Sequence, residues 1–208
     1  MLQDSTKKLS FSIVESLSLS INKTNRASLV VSGGSSPIPL FNQLSKEKID
    51  WSKVDILLCD DRVVASNHKH SNEGLVRKEL MINFAKDAHY ISIKSNPDTI
   101  IKLSKPFDVS ILGIGLDGHF ASLFQNLPNI NDALNQDFDE QIIFTDPIGT
   151  PKYKRVTMNL SMILNSKRCI LLACNKDKLE VVSDGMTNQN LPIHYLLNQD
   201  KVNIEIIN

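Results

Sequence analysis

The chain has 208 residues, a formal net charge of zero and 41% hydrophobic residues. This length suits one sizeable α/β domain and is short for two, so we expect a single domain over residues 1–208. A neutral chain has no global field that would attract nucleic acid or an anionic membrane surface, so neither partner is expected. Any basic binding site must be local.

The three cysteines and the N-terminal segment bear on the cellular compartment. Cys59, Cys169 and Cys174 lie in apolar runs without C-x-x-C spacing, which indicates buried thiols in a reducing compartment rather than disulfides or a zinc site. The first twenty residues mix serines and charges among the apolar positions, which is not the pattern of a signal peptide. No apolar run has the length of a membrane span. We therefore expect a cytoplasmic protein.

The chain begins with a predicted helix, a strand and a glycine loop. Apolar residues recur every four positions over residues 9–21, which predicts an amphipathic helix, and residues 27–32 form a buried-strand pattern. In the loop at 32–37 (SGGSSP), we expect Ser36 to cap the next helix and Pro37 to occupy its first turn. The amides and hydroxyls of such a loop suit a phosphate, and an ordinary strand-to-helix turn explains them equally well.

A third apolar run, residues 54–59, ends in the three charges of residues 60–62 (DDR). We interpret it as a strand whose carboxyl end presents Arg62 to a phosphate, with one aspartate holding the guanidinium. A solvated surface ion pair is the alternative. Ser71 then precedes a helical pattern, so it is the predicted cap, and Asn72 is a candidate ligand contact.

The most informative stretch is residues 107–124, which contain a strand pattern, a turn with three glycines, and Asp117-Gly118-His119 before an apolar segment with helical spacing. The pattern predicts a strand, a tight turn and a helix. Ligands of open α/β sheets bind beyond the carboxyl ends of strands. Asp117 and His119 are therefore the first catalytic candidates.

The glycines of this turn, Gly113, Gly115 and Gly118, also match the G-x-G-x-x-G fingerprint of dinucleotide-binding proteins, with Asp139 or Asp146 as ribose ligand. We favour the catalytic interpretation, because here an acid and a base occupy the place where a pyrophosphate needs backbone amides.

The rest of the chain continues the alternation of strands and short helices. We predict strands at 89–93, 142–144, 155–158, 169–174 and 202–207, and helices at 98–103, around 162–164, after Lys176 and at 192–197. This alternation predicts an α/β fold, a mostly parallel sheet with helices on both faces. Lys178 lies in the first turn of a predicted helix, where the dipole favours anions, which indicates a contact with an anionic ligand.

Five stretches together resemble the successive signatures of the 6-phosphogluconolactonases, in the family's order and over most of the chain. They are residues 32–37, 60–63 (DDRV), 71–72 (SN), 112–124 (LGIGLDGHFASLF) and 155–157 (RVT). The resemblance implies the modified Rossmann-like fold of the glucosamine-6-phosphate isomerase superfamily. It also implies hydrolysis of 6-phospho-D-glucono-1,5-lactone to 6-phosphogluconate in the oxidative pentose phosphate pathway, with no metal or organic cofactor.

The resemblance also implies roles for single residues. His119 matches the proposed general base, Asp117 the acidic residue of its motif, and Arg62 the arginine that meets the substrate phosphate. Asp117 either orients His119 or binds a sugar hydroxyl, unless it only caps a turn. The further predicted substrate contacts are Gly33, Gly34, Ser35, Asp60, Ser71, Asn72, Gly115 and either Arg155 or Lys178.

Two other functions remain as alternatives. A glucosamine-6-phosphate deaminase shares the glycine turn but has an acidic segment after it, whereas Phe124 stands five positions after His119. A non-catalytic sugar-phosphate sensor on the same fold would not need His119 and Asp117. We expect a small sugar-phosphate lactone as the partner, and a monomer or small homo-oligomer.

Overall fold

The computed structural model describes residues 2–208. The strands are β1 (Ala27–Val31), β2 (Val54–Leu58), β3 (Asp60–Arg62), β4 (His89–Ile91), β5 (Val109–Gly113), β6 (Ile142–Ile148), β7 (Tyr153–Met158), β8 (Cys169–Leu172) and β9 (Ile204–Ile207). The α-helices are α1 (Leu2–Thr24), α2 (Ile38–Leu44), α3 (Asn72–Glu79), α4 (Pro97–Ile101), α5 (Ile130–Ala133), α6 (Leu160–Leu164), α7 (Lys176–Gly185) and α8 (Pro192–Leu197). Short 3₁₀ turns cover Trp51–Lys53 and Asn83–Asp87.

Six strands form one parallel sheet in the order β4-β2-β1-β5-β8-β9, flanked by helices, which confirms the predicted fold class. Every residue of β2 and β8 is buried, because a parallel sheet is covered on both faces. The amphipathic first helix is also confirmed, since Ile13 and Leu17 are fully inaccessible to solvent and α1 packs on α2 and β1. None of the helices in residues 2–208 is long and apolar enough to cross a membrane.

The parallel sheet has its switch point at β1. The strands that follow β1 in the chain lie on both sides of it, with β2 paired on one side and β5 on the other. In such sheets a crevice opens beyond the carboxyl ends of the strands at this switch point. The loop after β1 and the loop after β5 meet there: the Ser32 amide donates to the carbonyl of Ile111 at 2.9 Å, and the Gly113 amide donates to Oγ of Ser32 at 3.2 Å. The fold therefore brings the two glycine loops together.

A second, antiparallel sheet in the order β3-β7-β6 was not predicted from the sequence. The charged residues 60–62 carry no strand pattern, and only pairing with β7 makes them one. In this register Arg62 lies opposite Arg155 and Asp60 opposite Thr157. The small sheet thus carries two arginines, far apart in sequence, to the same edge of the crevice.

The predicted burial of the cysteines is confirmed for Cys59 and Cys169 and wrong for Cys174, which is exposed. Cys174 lies beyond the last residue of β8, so the sheet does not cover it.

Two further local predictions were wrong. No helix follows His119: residues 114–129 form a compact loop in which Gly118 (φ 75°) and Ala121 (φ 48°) adopt left-handed backbone conformations that a helix excludes.

Ser36 does not cap α2, whose first turn is preceded by Pro37 without a side-chain cap. The Ser36 hydroxyl instead accepts a hydrogen bond from Lys178. The predicted cap at Ser71 is confirmed, because its hydroxyl accepts from the Gly74 amide at 3.1 Å.

Candidate active site

A cavity of about 220 Å³ lies at the switch point of the parallel sheet. Nearly all the residues predicted as site residues line it, namely Gly33, Gly34, Ser35, Asp60, Arg62, Asn72, Gly115, His119, Arg155 and Lys178. The two exceptions differ in kind. Asp117 is bonded to His119 at the edge of the cavity, whereas Ser71 lies at the start of α3 and outside the lining residues.

His119 and Asp117 form a hydrogen-bonded pair between Nδ1 of the imidazole and Oδ1 of the carboxylate. The His119 side chain is 29% exposed and the Asp117 side chain 61% exposed. The hydrogen bond from His119 holds the pKa of Asp117 below its ordinary value, so this carboxylate is an acceptor at neutral pH. An acceptor at Nδ1 fixes the proton of the neutral imidazole on that nitrogen and leaves the lone pair on Nε2.

Gly115 is required for this pair because the histidine ring folds back over it. A Cβ at position 115 would lie 2.2 Å from both Cε1 and Nδ1 of His119 and 2.6 Å from Oδ1 of Asp117. The turn is closed by the Gly115 amide, which donates to the carbonyl of His119 at 2.9 Å. The absence of a side chain at Gly115 therefore allows the backbone of the turn to lie close to the ring of His119.

Arg62 is held at the cavity by Asn72. Nη1 of Arg62 donates to Oδ1 of Asn72 at 2.6 Å and to the carbonyl of His70 at 3.3 Å. Nδ2 of Asn72 donates in turn to the carbonyl of Asp60 at 3.0 Å. A Cβ at Gly33 would lie 2.0 Å from Oδ1 of Asn72, so that glycine admits the amide to its bridging position.

Asp61 supports the contact between Arg62 and Asn72 but does not line the cavity. Its buried carboxylate accepts hydrogen bonds from the backbone amides of Arg62, Asn72 and Glu73. It also forms an ion pair with Lys94 at 2.9 Å. Burial raises the pKa of Asp61, and the contacts with Lys94 and the amides oppose that rise. The predicted aspartate support for Arg62 thus acts through the backbone.

Arg155 is 2% exposed and its guanidinium is held by two acceptors. Nε donates to the carbonyl of Ile148 at 3.1 Å and Nη1 to Oγ of Ser122 at 3.4 Å. Burial and the neighbouring charge of Arg62 lower the pKa of Arg155. Two like charges opposite each other repel, so this edge of the cavity favours an anion.

Lys178 approaches the cavity from α7. Its Nζ donates to Oγ of Ser36 at 2.6 Å, and its backbone amide donates to the cap residue Asn175 at 2.9 Å. The long side chain therefore crosses from α7 to the first glycine loop. Its charge joins those of Arg62 and Arg155 around the same cavity.

The two glycine loops differ in the backbone donors that they offer. The amides of Gly113 and Gly115 are already bonded within the chain, to Ser32 and His119. Within residues 2–208, the amides of Gly33, Gly34 and Ser35 make no such intramolecular hydrogen bond. Gly34 has φ 89°, a conformation that favours glycine, and it lines the cavity. The free amide donors therefore lie in the first loop.

Sequence reasoning missed two residues of the site that lie inside its own motif. Ser122 donates to Oδ2 of Asp60 at 2.5 Å and accepts from Arg155, so it ties the loop after β5 to strands β3 and β7 of the antiparallel sheet. Phe124 stacks on the ring of His119. Both residues lie in the motif at 112–124, which could have identified them as site residues. The helix predicted there, however, gave a wrong orientation for their side chains.

The dinucleotide alternative loses its structural basis. That fingerprint requires a helix that begins at the glycine turn and points its amides at the pyrophosphate. Here the next helix, α5, begins only at Ile130, and the loop before it is folded on itself by bridges between Ile114, Phe120 and Leu123.

Comparisons with known proteins agree on one family. Residues 2–204 match the family described as glucosamine-6-phosphate isomerases/6-phosphogluconolactonase. A 6-phosphogluconolactonase of Neisseria meningitidis is 32% identical, with 98% of this chain and 94% of the relative covered. The crystal structure of a 6-phosphogluconolactonase from Shewanella baltica is 32% identical with a TM-score of 0.90, covering 98% of this chain and 93% of the other. A putative 6-phosphogluconolactonase from Neisseria gonorrhoeae gives 32% identity and a TM-score of 0.89, with coverages of 99% and 95%.

Proposed function

Because the chain belongs to the glucosamine-6-phosphate isomerase/6-phosphogluconolactonase family, we propose that it hydrolyses 6-phospho-D-glucono-1,5-lactone to 6-phosphogluconate in the oxidative pentose phosphate pathway. One observation carries the proposal for this chain. A single cavity combines an oriented imidazole, His119, with the guanidinium groups of Arg62 and Arg155 and the ammonium of Lys178. Hydrolysis of a phosphorylated lactone needs both a base that activates water and a site that binds the phosphate.

His119 acts as the general base. With its Nδ1 proton held by Asp117, Nε2 accepts a proton from water as the water oxygen attacks the lactone carbonyl. The carbonyl becomes a tetrahedral oxyanion. The imidazolium then returns its proton to the ring oxygen as the carbon–oxygen bond of the lactone breaks. A lactone is an activated acyl group, so this route requires no covalent enzyme intermediate.

The free amides of the first glycine loop and the cationic side chains together bind the two negative groups of the reaction, the phosphate and the oxyanion. Amides of Gly33 and Gly34 are available to the oxyanion or the phosphate, since no acceptor within residues 2–208 engages them. Arg62 binds the phosphate together with Arg155 or Lys178. Binding of the phosphate, which does not react, orients the carbonyl against His119.

The test is the rate of acid release from freshly prepared 6-phosphogluconolactone, measured above the spontaneous rate for the native chain and for His119→Ala. General-base catalysis is typically worth about 10²- to 10⁴-fold, so we expect the variant to lose most of the acceleration while remaining folded. Folding of the variant is checked by its thermal unfolding.

The outcomes separate the alternatives. Strong acceleration that survives in His119→Ala would keep the activity but remove His119 as base. A native chain that is folded and does not accelerate hydrolysis would contradict the lactonase proposal and favour a sugar-phosphate sensor. Release of ammonia from glucosamine 6-phosphate would instead indicate the deaminase.

A further inference from the structure

Phe124 contacts both kinds of functional group in the candidate active site. Its side chain is 5% exposed. Its ring stacks on the imidazole of His119 with 4.2 Å between centroids and 24° between planes. Cζ of Arg155 lies 4.9 Å from the centre of the same ring. The apolar ring is thus a shared support for the base and for one of the cations.

The two partners depend on this support to different degrees. Arg155 has two hydrogen bonds of its own, to Ile148 and Ser122, and is almost completely buried. The imidazole of His119 has its hydrogen bond to Asp117, a residue that is largely exposed to solvent. In the part of the chain that the structure describes, no second aromatic ring stacks on it. The orientation of His119 is therefore the property most sensitive to Phe124.

We propose that Phe124 is a positioning residue, whose ring holds the imidazole plane of His119 in the orientation required by its hydrogen bond to Asp117. This role in catalysis rests on the proposed function of His119 as base. The ring also faces a changing charge, because His119 becomes an imidazolium when it takes the proton from water. The stack is compatible with this change, because a phenyl face also attracts a cation.

The turn between β6 and β7 fixes the ring from another direction. A Cβ at Gly149 would lie 2.7 Å from Cζ of Phe124 and 2.8 Å from Nη2 of Arg155. The backbone of this turn therefore lies directly against the ring. Packing on the histidine and on the turn leaves Phe124 little room to move, which is what a positioning role requires.

The first arm of the test compares the kinetics of Phe124→Leu with those of Phe107→Leu. Phe107 is a matched control, because it is also buried and lies before β5, at the opposite end of that strand from the glycine loop. We expect kcat of Phe124→Leu to fall at least tenfold below that of the control, while KM changes less than about threefold. A kcat within twofold of the control would overturn the proposal.

The second arm does not depend on activity. Because the ring of His119 lies over Gly115, a nuclear Overhauser effect is expected between Hε1 of His119 and the α-protons of Gly115 in the native chain and in Phe107→Leu. We expect Phe124→Leu to lose it. Its persistence would show that His119 is held without Phe124 and would overturn the proposal. If the signal is lost but the native chain does not hydrolyse the lactone, the positioning of His119 stands and the proposed function fails.

Discussion

Oδ1 of Asn72 accepts a 2.6 Å hydrogen bond from Arg62, and the same amide donates to the backbone of Asp60. Asn72 therefore fixes the arginine that faces the cavity to the strand that carries it. Neither residue is near the other in an extended chain. The start of α3 brings them together because Asp61 accepts hydrogen bonds from the Asn72 and Glu73 amides.

Removal of this bridge is expected to weaken substrate binding more than catalysis. In Asn72→Ala we expect KM for the phosphorylated lactone to rise about tenfold, equivalent to about 1.4 kcal/mol, with kcat changed less than threefold. Steady-state kinetics measure both. Asn42→Ala is the control, because the side-chain amide of that asparagine in α2 donates to the carbonyl of Ile38 and to Glu79, and Asn42 does not contact Arg62. Equal KM values for the two variants would contradict a role of Asn72 in holding Arg62.

Gly115 and Gly113 form a matched pair for testing the close approach of His119. Alanine at 115 places a methyl group 2.2 Å from the imidazole, whereas alanine at 113 meets no atom closer than the carbonyl of Gly33 at 4.0 Å. We expect Gly115→Ala to lower kcat at least hundredfold and Gly113→Ala to lower it less than threefold. If both variants retain native kcat, the histidine is not the group that the turn positions.

The sequence predicted the parallel sheet and the chemical character of the site well. Strands β1, β2 and β8 are mostly apolar, with Ser28 in β1 and Asp55 in β2 as the polar residues, and the glycine motifs mark the ends of β1 and β5. Both signals are local, so they can be read without knowledge of the fold.

The second sheet and the contacts behind the site depend on distant parts of the chain. The pairing of Arg62 with Arg155 joins residues 93 positions apart, and the charged strand β3 has no pattern of its own. The apolar spacing after His119 predicted a helix, but Gly118 and Ala121 adopt left-handed conformations that end that possibility. In this loop tertiary packing of Phe120 and Leu123 outweighs the local preference.

Replacement of Asp117 tests its assignment as the residue that orients His119. The hydrogen bond from His119 depresses the pKa of Asp117, so the native carboxylate stays ionised throughout the neutral and mildly acidic range. In Asp117→Asn the charge is absent at every pH, and we expect kcat to fall at least tenfold with KM nearly unchanged. A large rise in KM with native kcat would indicate instead that Asp117 binds a sugar hydroxyl.

Arg155 and Lys178 can be distinguished by comparing phosphorylated and unphosphorylated lactone. Arg155 is buried opposite Arg62, so an anion there relieves the repulsion between two fixed charges, whereas Lys178 is held by a single hydroxyl. We expect Arg155→Met to raise KM for the phosphorylated lactone at least tenfold and to leave KM for the unphosphorylated lactone within threefold. A larger effect on the phosphorylated substrate in Lys178→Met would reverse the assignment.

The last strand of the sheet supplies a prediction on stability and pH. Glu205 in β9 accepts two hydrogen bonds of 2.8 Å from Arg168, and this interaction lowers the pKa of Glu205 below its ordinary 4.5. A carboxyl whose pKa is lower in the folded than in the unfolded state stabilises the fold above the unfolded value. That contribution is lost as pH falls through the lower, folded value.

In Glu205→Gln we therefore expect the free energy of unfolding to fall by about 1 kcal/mol or less at pH 7, because the pair is partly exposed to solvent. The difference from the native chain should shrink as the pH is lowered below 4.5. Urea unfolding at a series of pH values between 3 and 7 measures it. A difference that stays constant over this range would mean that packing of β9, and not the charge of Glu205, is responsible for the loss.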